Sequence, residues 1–525
     1  MTSLLSRFSA AVPSVRASDE PADLVSYARD LWPRHHLAVR SGNVGTHRPG
    51  AICWPESTED VLRIVRFCRE TGTKLVPFGA GSGVCAGVLP QRDVLVLDMK
   101  RMARWLSLDP EAPTLTVQAG EMGVPLEDKL GSRGFTLGHF PSSILCSTVG
   151  GWIAGRSAGQ CSGRYGKIED MVVSLECVTG AGERLSLHRR GHGPSLLQLV
   201  TGSEGTLAVV TQATLRLHPR PAVRAFAAFA FPSTEEGWEG IRALFQAGLR
   251  PPVARLYDPF DAMLARQGAV KKEKSKRGSG AAAPGMGGAA LRTILRTPGA
   301  LNGLVEAMGS RIFGGALLVL VFEGDRPEAD CALARQMLEA RGARYEGEGP
   351  ARTWLAHRYT VSYRQAPVFS SGAFSDTMEV AAPWSRLGAL YDGVRRALGK
   401  TVFVMAHFSH AYPDGCCIYF SFAGSAPLGT PGGSWDEASE EVYDRTWKAA
   451  LAAAVASGAT LAHHHGVGRS KAPKLGLELG ETGIESVRAL KRAFDPDGIL
   501  NPGNLIPPVS PEPYTRLAGQ AEVRP

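Results

Sequence analysis

Three glycine-rich segments, the first of which directly follows a strand pattern, constrain the fold of this chain more than any other feature of its sequence. Residues 79–84 (Gly-Ala-Gly-Ser-Gly-Val) come directly after an apolar strand pattern, and residues 147–159 and 202–207 are also rich in glycine and small side chains. Glycine lets backbone N–H groups approach a ligand closely, and successive N–H groups form a cradle for a phosphate. For each segment taken alone, a plain turn is the alternative.

The first segment is not the dinucleotide-binding fingerprint that it resembles at first sight. That fingerprint needs a small residue at its sixth position and a helix directly after the loop. Here the sixth position is Val84, and Pro90 opposes a long helix at this point. The segment therefore predicts a phosphate-binding loop of another kind.

A strand–helix–strand unit precedes this loop. Residues 51–55 have the pattern of a short strand, and Ser57 followed by acidic residues predicts the start of a helix. The helix places its apolar residues on one face and ends at Gly72. Residues 74–78 form the next predicted strand.

Three consecutive histidines, His463, His464 and His465, concentrate chemistry near the end of the chain. A strand would point alternate members to opposite faces, whereas a turn at Gly466 and Gly468 would converge them on one pocket. Imidazoles titrate near neutrality, so the prediction is a site that binds an anion and moves a proton. A polar turn beside a helix is the alternative. No carboxylate or thiolate spacing completes a recognisable metal site, so none is predicted.

Length and charge set the broad class. A chain of 525 residues is too long for one hydrophobic core, so two or three domains are expected. The net charge of +8 fits anionic ligands such as phosphates, or an acidic membrane surface. There is no nucleic-acid-binding motif in a suitable context, so no nucleic-acid partner is expected.

Cysteine usage and hydropathy bear on the compartment. The nine cysteines are scattered, odd in number and without zinc spacing, which favours reduced thiols in the cytoplasm. No apolar run reaches the length of a membrane span, and the N-terminal apolar region is too weak for a signal peptide.

Taken in order, four segments resemble the flavoprotein superfamily that includes vanillyl-alcohol oxidase and para-cresol methylhydroxylase (PCMH). They are residues 77–84, 147–159, 166–170 and 202–211, and residues 494–504 add a C-terminal return. The resemblance implies an α+β fold, with a two-subdomain PCMH-type FAD-binding domain and an α+β cap domain with a large antiparallel sheet. The expected boundaries are a lead-in at 1–47, the FAD domain at 48–220, the cap at 221–455 with a disordered basic loop at about 270–290, a C-terminal segment at 456–510 that carries the histidines and packs back on the FAD domain, and a tail at 511–525.

The resemblance also implies FAD, bound mainly by backbone. Some members attach the flavin through a histidine in the first glycine loop, which has none here, and neither Cys85 nor Cys161 matches the cysteine linkage. Non-covalent FAD is therefore expected. The residues expected to bind it are Pro77, Phe78, Gly79, Ala80, Gly81, Ser82, Gly83, Val84, Ser142, Ser147, Thr148, Gly150, Gly151, Gly155, Arg156, Ser157, Ala158, Ile168, Glu204, Gly205, Thr206, Val209 and Val210.

Within this superfamily, the second half is most similar to the alkyldihydroxyacetonephosphate synthase family. The similarity lies in residues 322–326, 379–384, 417–420 and 463–468, of which the triple histidine with Gly-Val-Gly is the most discriminating. It implies an FAD-dependent alkylglycerone-phosphate synthase. Such an enzyme exchanges the acyl chain of acyl-dihydroxyacetone phosphate for a fatty alcohol, and forms the ether bond of ether lipids without net redox change.

Two other functions stay open on the sequence. The same histidines would serve an FAD-dependent oxidase or dehydrogenase of a 2-hydroxy acid or an alcohol, by deprotonating the hydroxyl. A flavin-binding structural protein is also compatible with the glycine segments, but it leaves Tyr419 and the triple histidine without a role.

The synthase resemblance assigns roles to individual residues. Tyr419 is the expected acid/base, together with the triple histidine; a core strand aromatic is its alternative. A phenol with its ordinary pKa of about 10 is a poor base, so neighbouring imidazoles are expected either to lower that pKa or to accept its proton. Arg364 is the expected phosphate ligand, because its planar fork is always charged. His407 and His410 are expected to extend the imidazole cluster towards the substrate.

The long leader of animal relatives is missing, which suggests a bacterial-type enzyme in the cytoplasm. A basic run at 271–280 beside an apolar segment at 291–312 suggests peripheral contact with the inner membrane face, and a solvated loop is the alternative. Pro298 weakens any helix across that segment. A homodimer is compatible with this interpretation.

Overall fold

The computed structural model describes residues 3–40, 42, 47–91, 93–189, 192–266, 294–359 and 365–506, with the backbone alone at 307–313. The chain divides into two compact units. Unit 1 comprises the described parts of Met1–Gly159, Gly166–Arg220 and His464–Pro525. Unit 2 comprises those of Gln160–Tyr165 and Pro221–His463. The middle of the chain thus forms most of one unit, and both ends contribute to the other.

The α-helices in chain order are α1 (Leu4–Ala11), α2 (Pro21–Ser26), α3 (Arg34–Arg40), α4 (Thr58–Thr71), α5 (Gly123–Gly131), α6 (Val149–Ala154), α7 (Ser162–Tyr165), α8 (Ile168–Met171), α9 (Leu196–Val200), α10 (Thr234–Gln246), α11 (Pro298–Phe313), α12 (Pro327–Glu339), α13 (Gly349–His357), α14 (Ala366–Ser370), α15 (Leu387–Leu398), α16 (Trp435–Ala456), α17 (Gly468–Lys471) and α18 (Gly476–Phe494). Short 3₁₀ turns lie at Met99–Arg101, Ile144–Cys146, Trp384–Arg386, Gly432–Ser434 and Ala472–Lys474.

The strands are β1 (Arg16–Ser18), β2 (Ala51–Trp54), β3 (Leu75–Phe78), β4 (Leu95–Asp98), β5 (Trp105–Asp109), β6 (Thr114–Gln118), β7 (Phe135–Thr136), β8 (Val172–Thr179), β9 (Arg184–His188), β10 (Ala208–Arg216), β11 (His218–Pro219), β12 (Arg224–Phe231), β13 (Val253–Tyr257), β14 (Ala316–Glu323), β15 (Arg344–Tyr345), β16 (Phe374–Pro383), β17 (Phe403–Ala411) and β18 (Gly415–Gly424).

Unit 1 contains the strand–helix–strand unit that the sequence predicts. Strands β2, β4 and β3 pair in parallel, and β1 adds to the edge of β2 in the antiparallel sense. Helix α4 begins at a capping box in which Ser57 and Asp60 satisfy each other's backbone N–H groups, and it ends at Gly72 in the left-handed conformation. Its apolar face packs into the same buried core as Leu75 and Leu95.

A second sheet of unit 1 is antiparallel, in the order β5-β6-β10-β8-β9. The C-terminal return joins unit 1 through β3. Leu75 donates to the Ile499 carbonyl at 2.8 Å, Asn501 donates to the Leu75 carbonyl at 2.8 Å, and both Ile499 and Leu500 are fully buried. The first glycine segment, residues 79–84, therefore follows a strand that is held by its parallel neighbour β4 and by the C-terminal return.

Unit 2 is organised around a seven-stranded sheet in the order β15-β12-β14-β13-β17-β18-β16, with each neighbouring pair antiparallel. Helices such as α10 and α15 bury their apolar residues in this unit. The α+β prediction with a large antiparallel sheet is confirmed.

The segment with the basic run overlaps residues 267–293, so most of that prediction lies outside the described residues. The helix after it, α11, starts at Pro298, the residue that argues against a longer helix. Among the described helices, none is both long and apolar enough to cross a membrane.

Candidate active site

Close contacts that involve the backbone join the predicted cofactor loops within unit 1. A Cβ atom on Gly79 would lie 2.5 Å from Thr148 Oγ1, so only glycine fits where the first loop meets the second. The Gly202 N–H donates to the Ile153 carbonyl at 2.9 Å, which joins the last loop to the second. The predicted loops therefore form one continuous surface with little side-chain cover.

The polar side chains of these loops mostly serve the loops themselves. Thr148 Oγ1 accepts from the Gly151 N–H at 3.2 Å, and Ser147 Oγ accepts from Trp152 Nε1 at 2.7 Å. By contrast, Ser203 Oγ is buried and has no hydrogen-bond partner among the described residues. A polar ligand group at this loop would supply the missing partner. The surface thus fits FAD, with backbone as its main ligand.

Exposure divides the predicted cofactor residues. Gly83, Ser142 and Arg156 are exposed, whereas Ile168 and Val209 belong to the buried core. The buried members reach a ligand through their backbone alone. Gly151 is also exposed. The other members are half-buried, except for seven that are buried as well: Phe78, Ser147, Thr148, Ala158, Gly205, Thr206 and Val210.

Glu204 organises the turn that follows the triple histidine. Its carboxylate accepts the backbone N–H groups of Val467 at 2.6 Å and Gly468 at 2.9 Å, and the Asn504 side chain donates to it at 3.0 Å. Burial raises the pKa of Glu204, and these hydrogen bonds oppose that effect. Both Gly466 and Gly468 have positive φ, as the predicted turn requires. The side chain of Glu204 therefore positions a protein turn, where the sequence suggests a cofactor contact.

The boundary between the two units falls inside the triple histidine. His464 and His465 belong to unit 1, where their rings lie 4.7 Å apart edge to face. His463 belongs to unit 2, where its backbone N–H donates to the buried Glu379 carboxylate at 2.6 Å. The trio is therefore shared between two folded units.

Tyr419 lies on β18 of unit 2 inside a cluster of rings. His410 Nε2 lies 2.9 Å from the Tyr419 hydroxyl, and the His407 ring stacks on the phenol with 4.6 Å between centroids. The His463 ring lies 5.6 Å from both His410 and Tyr412. Four of the residues predicted from the sequence are thus brought together on one face of the sheet: Tyr419, His407, His410 and His463.

Charged groups surround the stacked His407. Its Nδ1 lies 3.3 Å from an Asp261 carboxylate oxygen, and Arg255 stands nearby on β13, its guanidinium over the Tyr257 ring at 5.2 Å. Burial, and then the positive charge of Arg255, lower the pKa of His407 well below its ordinary value. Burial raises the pKa of Asp261 to about 6. At neutral pH, His407 is therefore a neutral imidazole beside an ionised Asp261.

The phenol of Tyr419 is held in its protonated form. Burial raises its pKa well above the ordinary value, the nearby Cys417 and Glu379 raise it further, and Arg255 opposes them. Of the two effects expected of the imidazoles, lowering this pKa would need a cationic ring, and His407 is neutral. Tyr419 therefore needs a neighbour that takes its proton before it can act as a base.

Arg364, the predicted phosphate ligand, lies outside the described residues.

Three residues of unit 2 that are far apart in the sequence bring their donor atoms together. The donor atoms of Glu379, Cys417 and His463 lie within 4.8 Å of one another. The sheet pairing explains it, because Glu379 on β16 faces Tyr419 on β18 and Cys417 precedes Tyr419 by one strand period.

The sequence interpretation missed Arg255, Asp261 and Ser162. Arg255 Nε is buried without a hydrogen-bond partner in the part of the chain that the structure describes. Its strand reads Val-Ala-Arg-Leu-Tyr, and alternation on such a strand places Arg255 and Tyr257 on one face. An arginine inside an apolar strand pattern was the available signal.

Comparison with known proteins agrees with both units. A family model described as an FAD binding domain matches residues 49–188. A second, described as the C-terminal domain of FAD linked oxidases, matches residues 220–505. FAD is therefore the cofactor of this chain, and the chain is a flavoprotein.

Curated relatives extend the match over most of the chain. An alkyldihydroxyacetonephosphate synthase of Trypanosoma brucei brucei is 30% identical over 508 residues, which cover 94% of this chain and 78% of the relative. One from Dictyostelium discoideum is 29% identical and covers 91% and 76%. A glycolate oxidase subunit of Bacillus subtilis is 26% identical and covers 93% of each.

Solved structures of similar proteins superpose on most of this chain. An alkyldihydroxyacetonephosphate synthase superposes with a TM-score of 0.69 at 26% identity, covering 93% of this chain and 82% of that one. A para-cresol methylhydroxylase has a TM-score of 0.72 at 17% identity, covering 96% of each chain, and shows the fold alone. With its four glycine loops, its triple histidine and its Tyr419 cluster, the chain belongs to the alkyldihydroxyacetonephosphate synthase family of FAD-linked enzymes.

Proposed function

We propose that this protein is an alkylglycerone-phosphate synthase, which replaces the acyl chain of acyl-dihydroxyacetone phosphate by a fatty alcohol. The observation that carries the proposal is the Tyr419 cluster: a phenol whose hydroxyl is hydrogen-bonded to one imidazole and whose ring is stacked on another. FAD, which the glycine-rich segments 79–84, 147–159 and 202–207 would hold, would supply an electron-poor ring system for this exchange.

The chain's own residues supply the proton transfer. Exchange at a carbon next to a carbonyl requires removal and return of one of its hydrogens. Tyr419 is placed to do both, because its hydroxyl has an imidazole partner at 2.9 Å that can share the proton. Neutral His407 keeps the phenol ring in place through stacking.

Arg255 supports binding of an anionic substrate. Its guanidinium is permanently charged, it acts electrostatically on both His407 and Tyr419, and its buried Nε has no partner among the described side chains. A phosphate or carboxylate beside Tyr419 would satisfy that donor. We therefore assign anion binding to Arg255 as well as to the predicted ligand Arg364.

The test uses the FAD-loaded protein under anaerobic conditions, with palmitoyl-dihydroxyacetone phosphate and hexadecanol. Ether product and free palmitate without an electron acceptor are expected. Tyr419→Phe should retain FAD and lose at least about 100-fold in kcat, the usual contribution of a positioned acid/base. Tyr345→Phe, which removes a hydroxyl from the edge strand β15 of the same unit, is the matched control and should keep full activity.

Other outcomes decide against the proposal. If the wild type forms no ether but its flavin is bleached by a 2-hydroxy acid or an alcohol, the oxidoreductase alternative replaces it. Normal turnover by Tyr419→Phe would remove Tyr419 from the mechanism.

A further inference from the structure

An irregularity in β17 places His410 on the face of the sheet that carries Tyr419. His407 faces Tyr419 and Ser409 faces Cys417, but the next paired residue is Ala411, opposite Cys416. His410 is thus the extra residue of a β-bulge. In a regular strand, His407 and His410 would point to opposite faces. The bulge turns His410 round to the face of His407.

The backbone at His410 adopts a conformation that is uncommon for residues other than glycine. Its φ is +54°, in the left-handed region. Such strain persists only where the surrounding structure holds it in place, and it concentrates at functional sites. A purely structural bulge would be better served by glycine, so the imidazole itself needs an explanation.

Hydrogen bonds on both ring nitrogens give that explanation. His410 Nε2 lies 2.9 Å from the Tyr419 hydroxyl, and Nδ1 lies 2.8 Å from Ser162 Oγ. The Tyr412 hydroxyl donates to the same Ser162 oxygen at 3.1 Å. His410 and Ser162 are almost fully buried, with exposed fractions of 5% and 2%. Ser162 Oγ has two lone pairs, so it can accept from Nδ1–H as well as from Tyr412, which leaves the Nε2 lone pair of the neutral ring to the Tyr419 hydroxyl.

We propose that His410 is the proton acceptor of Tyr419, held in that position by the β-bulge and by Ser162. The proposal rests on the proposed function and deepens it, because it assigns the base that makes Tyr419 reactive. His410 acts through Tyr419 and does not contact the substrate.

The proton balance is as follows. The substrate C–H bond breaks and its electron pair stays on the substrate carbon, while the hydrogen forms a new O–H bond with Tyr419. The original Tyr419 O–H bond breaks at the same time, and its proton forms an N–H bond at His410 Nε2. The resulting imidazolium donates through Nδ1 to Ser162 Oγ. When the alcohol has entered, the two transfers reverse, so Tyr419 and His410 regain their starting protonation. The O–H bond of the alcohol breaks as its oxygen bonds to the carbon, and that proton leaves with the departing carboxylate as free fatty acid.

The experiment follows two readouts with FAD-loaded protein. The first is exchange of the reacting C–H hydrogen with deuterium from D₂O, in palmitoyl-dihydroxyacetone phosphate without added alcohol. The second is ether formation with hexadecanol, separated into kcat and KM. His410→Asn is the main variant, because asparagine tolerates the left-handed backbone. It should fold with an unchanged or higher Tm, bind FAD normally, and lose about 100-fold or more in kcat and in exchange rate with little change in KM.

Two further variants separate proton uptake from simple positioning. His410→Gln can still accept a hydrogen bond from Tyr419 but cannot hold its proton, so it should be as impaired as His410→Asn. Ser162→Ala keeps the bond between His410 and Tyr419 and should lose less, about tenfold. His188→Gln, at an exposed position on β9, is the matched control and should behave as wild type.

The following outcomes would contradict the proposal. Near-normal kcat in His410→Gln would overturn proton uptake, and near-normal kcat in His410→Asn would overturn any role of this side chain. A lowered Tm in step with lost FAD would show a structural role instead. Wild-type protein that neither exchanges hydrogen nor forms ether would contradict the proposed function itself, and this inference with it.

Discussion

Single buried imidazoles show how strongly environment governs chemistry in this protein. His139 of unit 1 is fully buried, with its ring 4.7 Å from that of Trp152 and its Nε2 3.2 Å from Ser157 Oγ. Its Nδ1 has no hydrogen-bond partner among the described residues. Burial lowers the pKa of His139 to about 3. This histidine is therefore neutral, as His407 is.

His139 predicts a pH dependence of stability. Its pKa is about 6.5 in the unfolded chain and about 3 in the folded protein, so its contribution is complete above pH 6.5 and is lost as pH falls from there towards 3. Between pH 7 and pH 5, this one group should cost about 2 kcal/mol of the free energy of unfolding. Urea unfolding of the wild type and of His139→Gln at both pH values measures the difference. Identical pH dependence in the two proteins would contradict the assignment.

The residues of the candidate site were only partly predictable. Tyr419 and His463 lie in motifs that a family resemblance exposes, and the structure places them near each other in unit 2. Arg255 and Ser162 lie far from them in sequence, and only the pairing of β13 and β17 and the position of α7 bring them close. The direction of the Tyr419 pKa shift could not be predicted from the sequence either, because it depends on burial and on the neutral state of His407.

At the scale of elements, the sequence predicted a helix correctly where the residues that start it, face the core and end it are all close together in the chain. Helix α4 was predicted from its acidic first turn, its apolar face and Gly72, and the structure shows each of them. The bulge at His410 carries no such local signal, since it arises from pairing with β18 across a tight connection. Strand alternation alone assigns His410 to the wrong face.

Helix α4 offers a direct test of its cap. Ser57 Oγ accepts the Asp60 N–H at 3.2 Å, so Ser57→Ala leaves that donor without its partner. We expect the free energy of unfolding to fall by about 1 kcal/mol. Chemical denaturation measures the loss, and Ser186→Ala, at an exposed position on β9, is the control and should change it little. Equal stability of Ser57→Ala and the wild type would show that the cap contributes nothing.

At the scale of the whole molecule, unit 1 depends on the far end of the chain. Lys491 donates to the Thr206 carbonyl at 2.7 Å, and the Asn501 side chain donates to the Glu204 carbonyl at 2.8 Å. Asp495 accepts the N–H groups of Ile499 and Leu500. The last described residues thus hold the loop that carries Glu204.

Leu500 tests this dependence. It is fully buried beside Leu75, so Leu500→Ala should lower the free energy of unfolding by about 2–5 kcal/mol, the usual cost of a core cavity. It should also weaken FAD retention, because the glycine loop after β3 shares that support. Leu477→Ala, whose leucine is 54% exposed, is the matched control. Tight FAD binding and full stability in Leu500→Ala would separate the loops from the C-terminal return.

The split composition of unit 1 also has a consequence for biosynthesis. A ribosome releases residues 221–463, which make up most of unit 2, before it has made Ile499 and Leu500. Unit 1 is therefore still incomplete when residues 221–463 of unit 2 have been made, and the edge of β3 stays unpaired until residues 499–501 follow. An exposed strand edge is a site of aggregation, so nascent chains stalled before residue 499 should require chaperones in a way that the finished protein does not.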